Sequence, residues 1–168
     1  MKQEATIIVS WDSLERRREE YQDLVQKKIP ANSKEIAIAR SYGDLRENHE
    51  YKAAKEMQKF LMRRKGELES QLLKARGNDF HNPRIDVVSI ACKVAVTDLD
   101  SRNPEEYSIL GAWDFDAEKH IISYLTPMAQ ALLGKKTGDE VEFELDGIKR
   151  SFRIDTISAA DPLISTRS

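Results

Sequence analysis

The chain has 168 residues, 33% of them charged and 40% hydrophobic, with one cysteine and three histidines. It is too charged for a membrane protein and too apolar for a disordered one, and no apolar run approaches the roughly 20 residues that span a bilayer. Its net charge of −2 conceals an asymmetry: residues 1–78 hold 17 Lys and Arg against 13 Asp and Glu, while residues 79–168 hold 10 against 16. Such a split points to two units with different partners. The N-terminus lacks the long apolar core of a signal peptide, and the lone Cys92 excludes an internal disulfide. Both features fit a cytoplasmic protein.

Residues 5–9 form a short apolar lead-in expected to pack on a later part of the chain. Asp12 or Ser13 is positioned to cap a first helix, whose stripe is Trp11, Leu14, Tyr21, Leu24 and Val25. Pro30 lacks an N–H and restricts Ile29, so a break is expected near 27–33. The helix resumes through Ile36–Ala39, and Gly43 suits the position just past its end. A second helix is expected from about Asp44–Glu47 to Ala75. Its seam positions are Tyr51, Ala54, Gln58, Leu61, Lys65, Leu68, Leu72 and Ala75, a pattern that fits an antiparallel coiled-coil hairpin.

Turn residues from Gly77 to Pro83 mark a linker, after which the periodicity changes. Strands are expected over 86–96, 107–111, 120–125, 141–145 and 148–157, with Asp146-Gly147 as a tight hairpin turn. Thr126-Pro127 opens a short helix ending at Gly134. The expected architecture is α+β in two domains: a coiled-coil hairpin over 1–78, an antiparallel sheet with one short helix over 79–162, and a loose tail over 163–168.

Asp44-Leu45-Arg46-Glu47 reads in two compatible ways. It fits a capping box, with Asp at the cap and Glu three residues on. It also puts two carboxylates on one small turn, where they can share a hard cation such as Mg²⁺, which often takes only one or two protein carboxylates. His49, His81 and His120 are too scattered for a zinc site, and no Gly-rich phosphate loop or nucleophile elbow is present. Cys92, in an apolar run, reads as a buried thiol.

The run Ile38-Ala39-Arg40-Ser41-Tyr42-Gly43-Asp44-Leu45-Arg46-Glu47-Asn48-His49-Glu50-Tyr51-Lys52-Ala53-Ala54-Lys55-Glu56 closely resembles the coiled-coil tip of the bacterial GreA/GreB transcript cleavage factors. Pro30, 13 residues before Gly43, also matches. So do Gly111, Ile121-Ile122-Ser123, Pro127 to Lys135 and Gly138 to Val141 in the second half. The resemblance implies an FKBP-like C-terminal domain that docks at the RNA polymerase secondary channel, and a coiled coil that enters it; a monomer is expected. It implies stimulation of the polymerase's own cleavage of backtracked 3′ RNA, so that the protein assists an enzyme rather than being one. Asp44 and Glu47 would help bind the second Mg²⁺, bound weakly outside the complex, and position water. Arg40 and Lys55 would contact RNA or polymerase, each reading equally as a solvated helix charge, and Thr126 and Pro127 lie where polymerase contact is expected. Pro127 reads equally as a plain helix start. The run Ala112-Trp113-Asp114-Phe115-Asp116 and Thr126 depart from the family pattern. The competing readings are a channel regulator without cleavage, a prolyl isomerase suggested only by the fold, and a structural adaptor.

Overall fold

The computed structural model describes residues 6–43 and 48–161. These divide into a helical unit, residues 14–75, and a sheet unit built from residues 6–13 together with 76–161.

In the helical unit, α1 (Trp11–Asp23) runs through a π-helical turn (Leu24–Lys28) into α2 (Ile29–Arg40). Pro30 therefore does not break the helix, contrary to the sequence expectation. A proline clashes with the carbonyl four residues earlier, here that of Gln26. Gln26 lies inside the wide turn, where the Ile29 N–H reaches back five residues to the Leu24 carbonyl. One extra residue per turn gives the ring room without ending the helix.

The return helix α3 (His49–Lys74) carries the hairpin seam. Ala54, Leu61 and Leu68 are buried, and Leu61 and Leu68 cluster with Leu24, Tyr21 and Ile29. Gln58 and Lys65 are half-buried at seam positions, with the Lys65 ammonium 3.6 Å from Glu69. Val25, expected in the stripe, is 37% exposed, because the π turn rotates it off the seam. A two-pronged Arg64–Glu20 pair (2.7 and 3.0 Å) ties the helices together at the surface, a contact worth at most about 1 kcal/mol. Asn32 is a buried polar residue of the hairpin, and its Nδ2 donates to the Ala54 carbonyl at 3.0 Å.

The lead-in forms β1 (Ile7–Ser10), which pairs with β2 (Ala75–Asn78). It packs on later residues, as expected. The Ile8 N–H donates to the Tyr124 hydroxyl, and the Ile8 carbonyl accepts from the Ala112 N–H. Ser10, not Asp12 or Ser13, caps α1: its Oγ accepts from the Ser13 N–H. Asp114 accounts for one departure from the family pattern, since its carboxylate accepts the Ser10 N–H and both the Ser10 and Ser13 hydroxyls.

The main sheet contains β3 (Cys92–Asp98), β4 (Pro104–Leu110), β5 (Ile121–Ser123), β6 (Glu140–Leu145) and β7 (Ile148–Ala159), in the order β5-β4-β3-β7-β6. It is mixed rather than wholly antiparallel, because β5 runs parallel to β4. The ten residues between them carry the chain back to start β5 alongside β4. Residues 86–91, expected as strand, are irregular: Ala91 adopts φ +78°, and Val88 bonds to Gly134 and Lys135 instead of to a strand. Asp146 and Gly147 both take positive φ, as the β6–β7 turn demands. Helix α4 (Pro127–Leu132) lays Ala129 and Leu132 on the core formed by Val94, Val96, Ile109, Phe152 and Ile154.

Asp98 closes the β3–β4 hairpin. Its carboxylate accepts the Ser101 and Asp100 N–H groups and meets Arg150 at 3.1 Å. These contacts, the backbone donors first, hold its pKa below the ordinary 3.8. A depressed carboxylate contributes stability that is complete above its unfolded pKa and is lost as pH falls toward the folded value. Asp98→Asn is therefore expected to lower stability at neutral pH and to flatten the acid limb below about pH 4, read from denaturant melts at several pH values. An acid limb identical to that of wild type would contradict this assignment.

Candidate functional site

The turn expected to carry chemistry sits between the end of α2 and the start of α3. Helix α2 ends at Ser41, whose N–H reaches the Ala37 and Ile38 carbonyls. Gly43 follows at φ +102°, a conformation that disfavours any side chain, as its expected place past the helix end requires. Asp44, Leu45, Arg46 and Glu47 lie outside the described residues, and with them the capping box read from the sequence.

The cap that the structure describes for α3 is Asn48. Its Oδ1 accepts the Tyr51 N–H at 3.0 Å, and its Nδ2 donates to the Ala39 carbonyl of α2 at 2.6 Å. One amide therefore caps α3 and bolts it to α2 at the base of the turn. Sequence reasoning passed over this residue in favour of the acids beside it. The available signal was an asparagine directly before a helical run, one of the best N-caps. Asn48→Ala is expected to cost about 1–2 kcal/mol through lost capping, seen as a lower thermal midpoint of the helical unit. Asn48→Asp, which keeps the acceptor but not the donor, should fall between.

The basic residues near the turn are placed differently from each other. Arg40 is exposed, its guanidinium 5.9 Å from the centroid of the half-buried Tyr51 ring. This cation–π contact steadies Arg40 without removing its charge from solvent. Lys55 donates to Gln58 at 2.9 Å along α3. Both belong to the helical unit, whereas Thr126 and Pro127 belong to the sheet unit. Thr126 caps α4, its Oγ1 accepting the Ala129 N–H and donating to the Ser123 carbonyl, and Pro127 takes the first helical position. Their local roles are structural, and Pro127 is exposed. Among the described residues no group of three His, Cys, Asp or Glu is arranged to hold a metal ion, and no helix is long and apolar enough to cross a membrane.

The family model described as the N-terminal domain of transcription elongation factor GreA/GreB matches residues 7–76, and the model of the C-terminal domain matches residues 82–159. The chain belongs to the GreA/GreB family of transcription elongation factors. Transcription elongation factor GreA of Treponema pallidum is 36% identical over 92% of this chain and 96% of its own length. The GreA of Nautilia profundicola is 42% identical over 79% of this chain and 82% of its own. Among solved structures, that of the transcription factor Gfh1 covers 92% of this chain and 99% of its own at 19% identity, with a TM-score of 0.44. In this GreA/GreB chain the two family regions meet the two packing units closely. The difference is at the N-terminus, where β1 packs with the sheet unit.

Proposed function

We propose that this chain binds RNA polymerase in its secondary channel and stimulates hydrolysis of the 3′ RNA extruded from a backtracked complex. The observation that carries the reading is the Gly43-Asp44-Leu45-Arg46-Glu47-Asn48 run, set on a stem that Asn48 closes from both sides. Two carboxylates three residues apart are a donor set suited to a hard cation. Two carboxylates fill only part of the coordination sphere of such an ion, so Asp44 and Glu47 would need donors from the polymerase to complete the site.

Mg²⁺ bound there would supply charge stabilisation for the attacking and leaving oxygens of an in-line displacement. The work of the carboxylates is to bind that ion and to accept hydrogen bonds from the attacking water, aiming its lone pair at phosphorus. The water oxygen bonds to phosphorus and gives up a proton to solvent as the bond from phosphorus to the ribose 3′ oxygen breaks. That oxygen takes up a proton, so the retained RNA gains a fresh 3′ hydroxyl and the released fragment keeps the phosphate. The chain therefore assists the polymerase and has no reaction of its own. Arg40 stands exposed next to the turn, suited to RNA phosphates, with Lys55 one turn further along α3. Thr126 and Pro127 would lie on the docking surface of the sheet unit.

The test is a stalled, backtracked complex of polymerase from the same source, with and without the purified chain. Shortened RNA that resumes extension supports the proposal. Binding without cleavage would instead favour a channel regulator, and indifference to the chain would refute both.

A further inference from the structure

The hairpin presents a second apolar stripe besides its buried seam. Ile38, on α2, and Tyr42, in the turn just past its end, are 55% and 65% exposed. On α3, Ala53, Met57 and Phe60 follow helical spacing, and Met57 and Phe60 are 47% and 53% exposed. Between the helices lies a cleft of about 400 Å³ walled by Ile38, Ala53 and Met57. Among the described residues, the charged ones that line it are Glu35 and Glu50, and neither forms an ion pair there. Exposed apolar side chains walling a cleft on a charged hairpin suit an interaction surface.

We propose that this cleft docks a basic amphipathic segment of the RNA polymerase channel wall, one apolar side chain entering between Ile38 and Met57 while flanking Lys or Arg pair with Glu35 and Glu50. The inference rests on the polymerase reading above and names a contact within it. Charge selects the occupant. RNA would bring phosphates against two unpaired carboxylates. A second copy related by a two-fold axis would set the same patch on itself, acid against acid. A basic protein segment satisfies both the acids and the apolar walls.

The test is the affinity of the labelled full-length chain for core polymerase of the same source, with cleavage of backtracked RNA measured in parallel. Ile38→Ser with Met57→Ser removes apolar wall at exposed sites, and Glu35→Lys with Glu50→Lys reverses the charge. Each doublet is expected to weaken binding about tenfold or more, with circular dichroism unchanged. Leu73→Ser, at an 81% exposed apolar position of the same helix outside the cleft, should bind as wild type does. Unchanged affinity of both doublets overturns the proposal. So does a wild-type dimer that Ile38→Ser with Met57→Ser dissolves, or tighter RNA crosslinking in place of polymerase binding. A wild type that binds without stimulating cleavage removes the cleavage reading alone, and the doublets still decide the docking contact. A wild type that does not bind polymerase overturns both.

Discussion

Asp44→Asn is expected to reduce stimulated RNA cleavage by at least about 100-fold while leaving polymerase binding and thermal stability near wild type. Asparagine caps a helix as well as aspartate does, so a purely structural Asp44 would tolerate the change. Cation binding would not, because the amide offers a weaker oxygen and no charge. Changes even to residues that merely support metal ligands cost about 10- to 100-fold, so losing a direct ligand should reach the upper end or beyond. Glu47→Gln should behave alike, and the two together should cost little more than either alone, since residues acting as one unit are not additive. The measurement is the rate of RNA shortening in a backtracked complex at saturating protein, with binding followed separately. If both variants cut as wild type does, these acids have no chemical part. If cleavage is lost only together with binding, the acids belong to docking.

Phe152→Ala should be the most damaging single change to the sheet unit. Phe152 is fully buried on β7, between β3 and β6. It stacks on Phe143 with centroids 5.5 Å apart, and the Arg150 guanidinium lies 4.9 Å from its ring. Truncating a buried phenylalanine removes transfer energy and leaves a cavity, about 3–5 kcal/mol together. A domain of this size has a total stability of roughly 5–15 kcal/mol. The thermal transition of the sheet unit should therefore fall by about 15 °C or more, measured by calorimetry. Phe115→Ala is the matched control: Phe115 is 66% exposed, and its loss should shift stability by no more than about 0.5 kcal/mol. Similar melting of the two variants would mean that the core is not centred on Phe152.

Features under local chemical control were legible in the order of the amino acids. The coiled-coil seam was legible because Ala54, Leu61 and Leu68 recur at heptad spacing, and those are the residues of α3 that the fold buries. The Asp146-Gly147 turn and the Thr126-Pro127 helix start were legible because their backbone demands are met within four residues. The tip run was legible as a family motif, which the match over both halves of the chain supports. Tertiary structure decided whatever depended on a partner far along the chain. Pro30 looked like a break because its clash is local, but a π turn absorbs it while the seam keeps both helices packed. Residues 86–91 looked like strand because Val88 is apolar, yet its backbone is claimed by the loop at 134–135. The parallel placement of β5 and the grip of Asp114 on Ser10 and Ser13, about a hundred residues away, have no periodic signature. Asn48 bridges both classes: its capping half was readable from position, whereas its bond to Ala39 exists only because the hairpin brings α2 alongside α3.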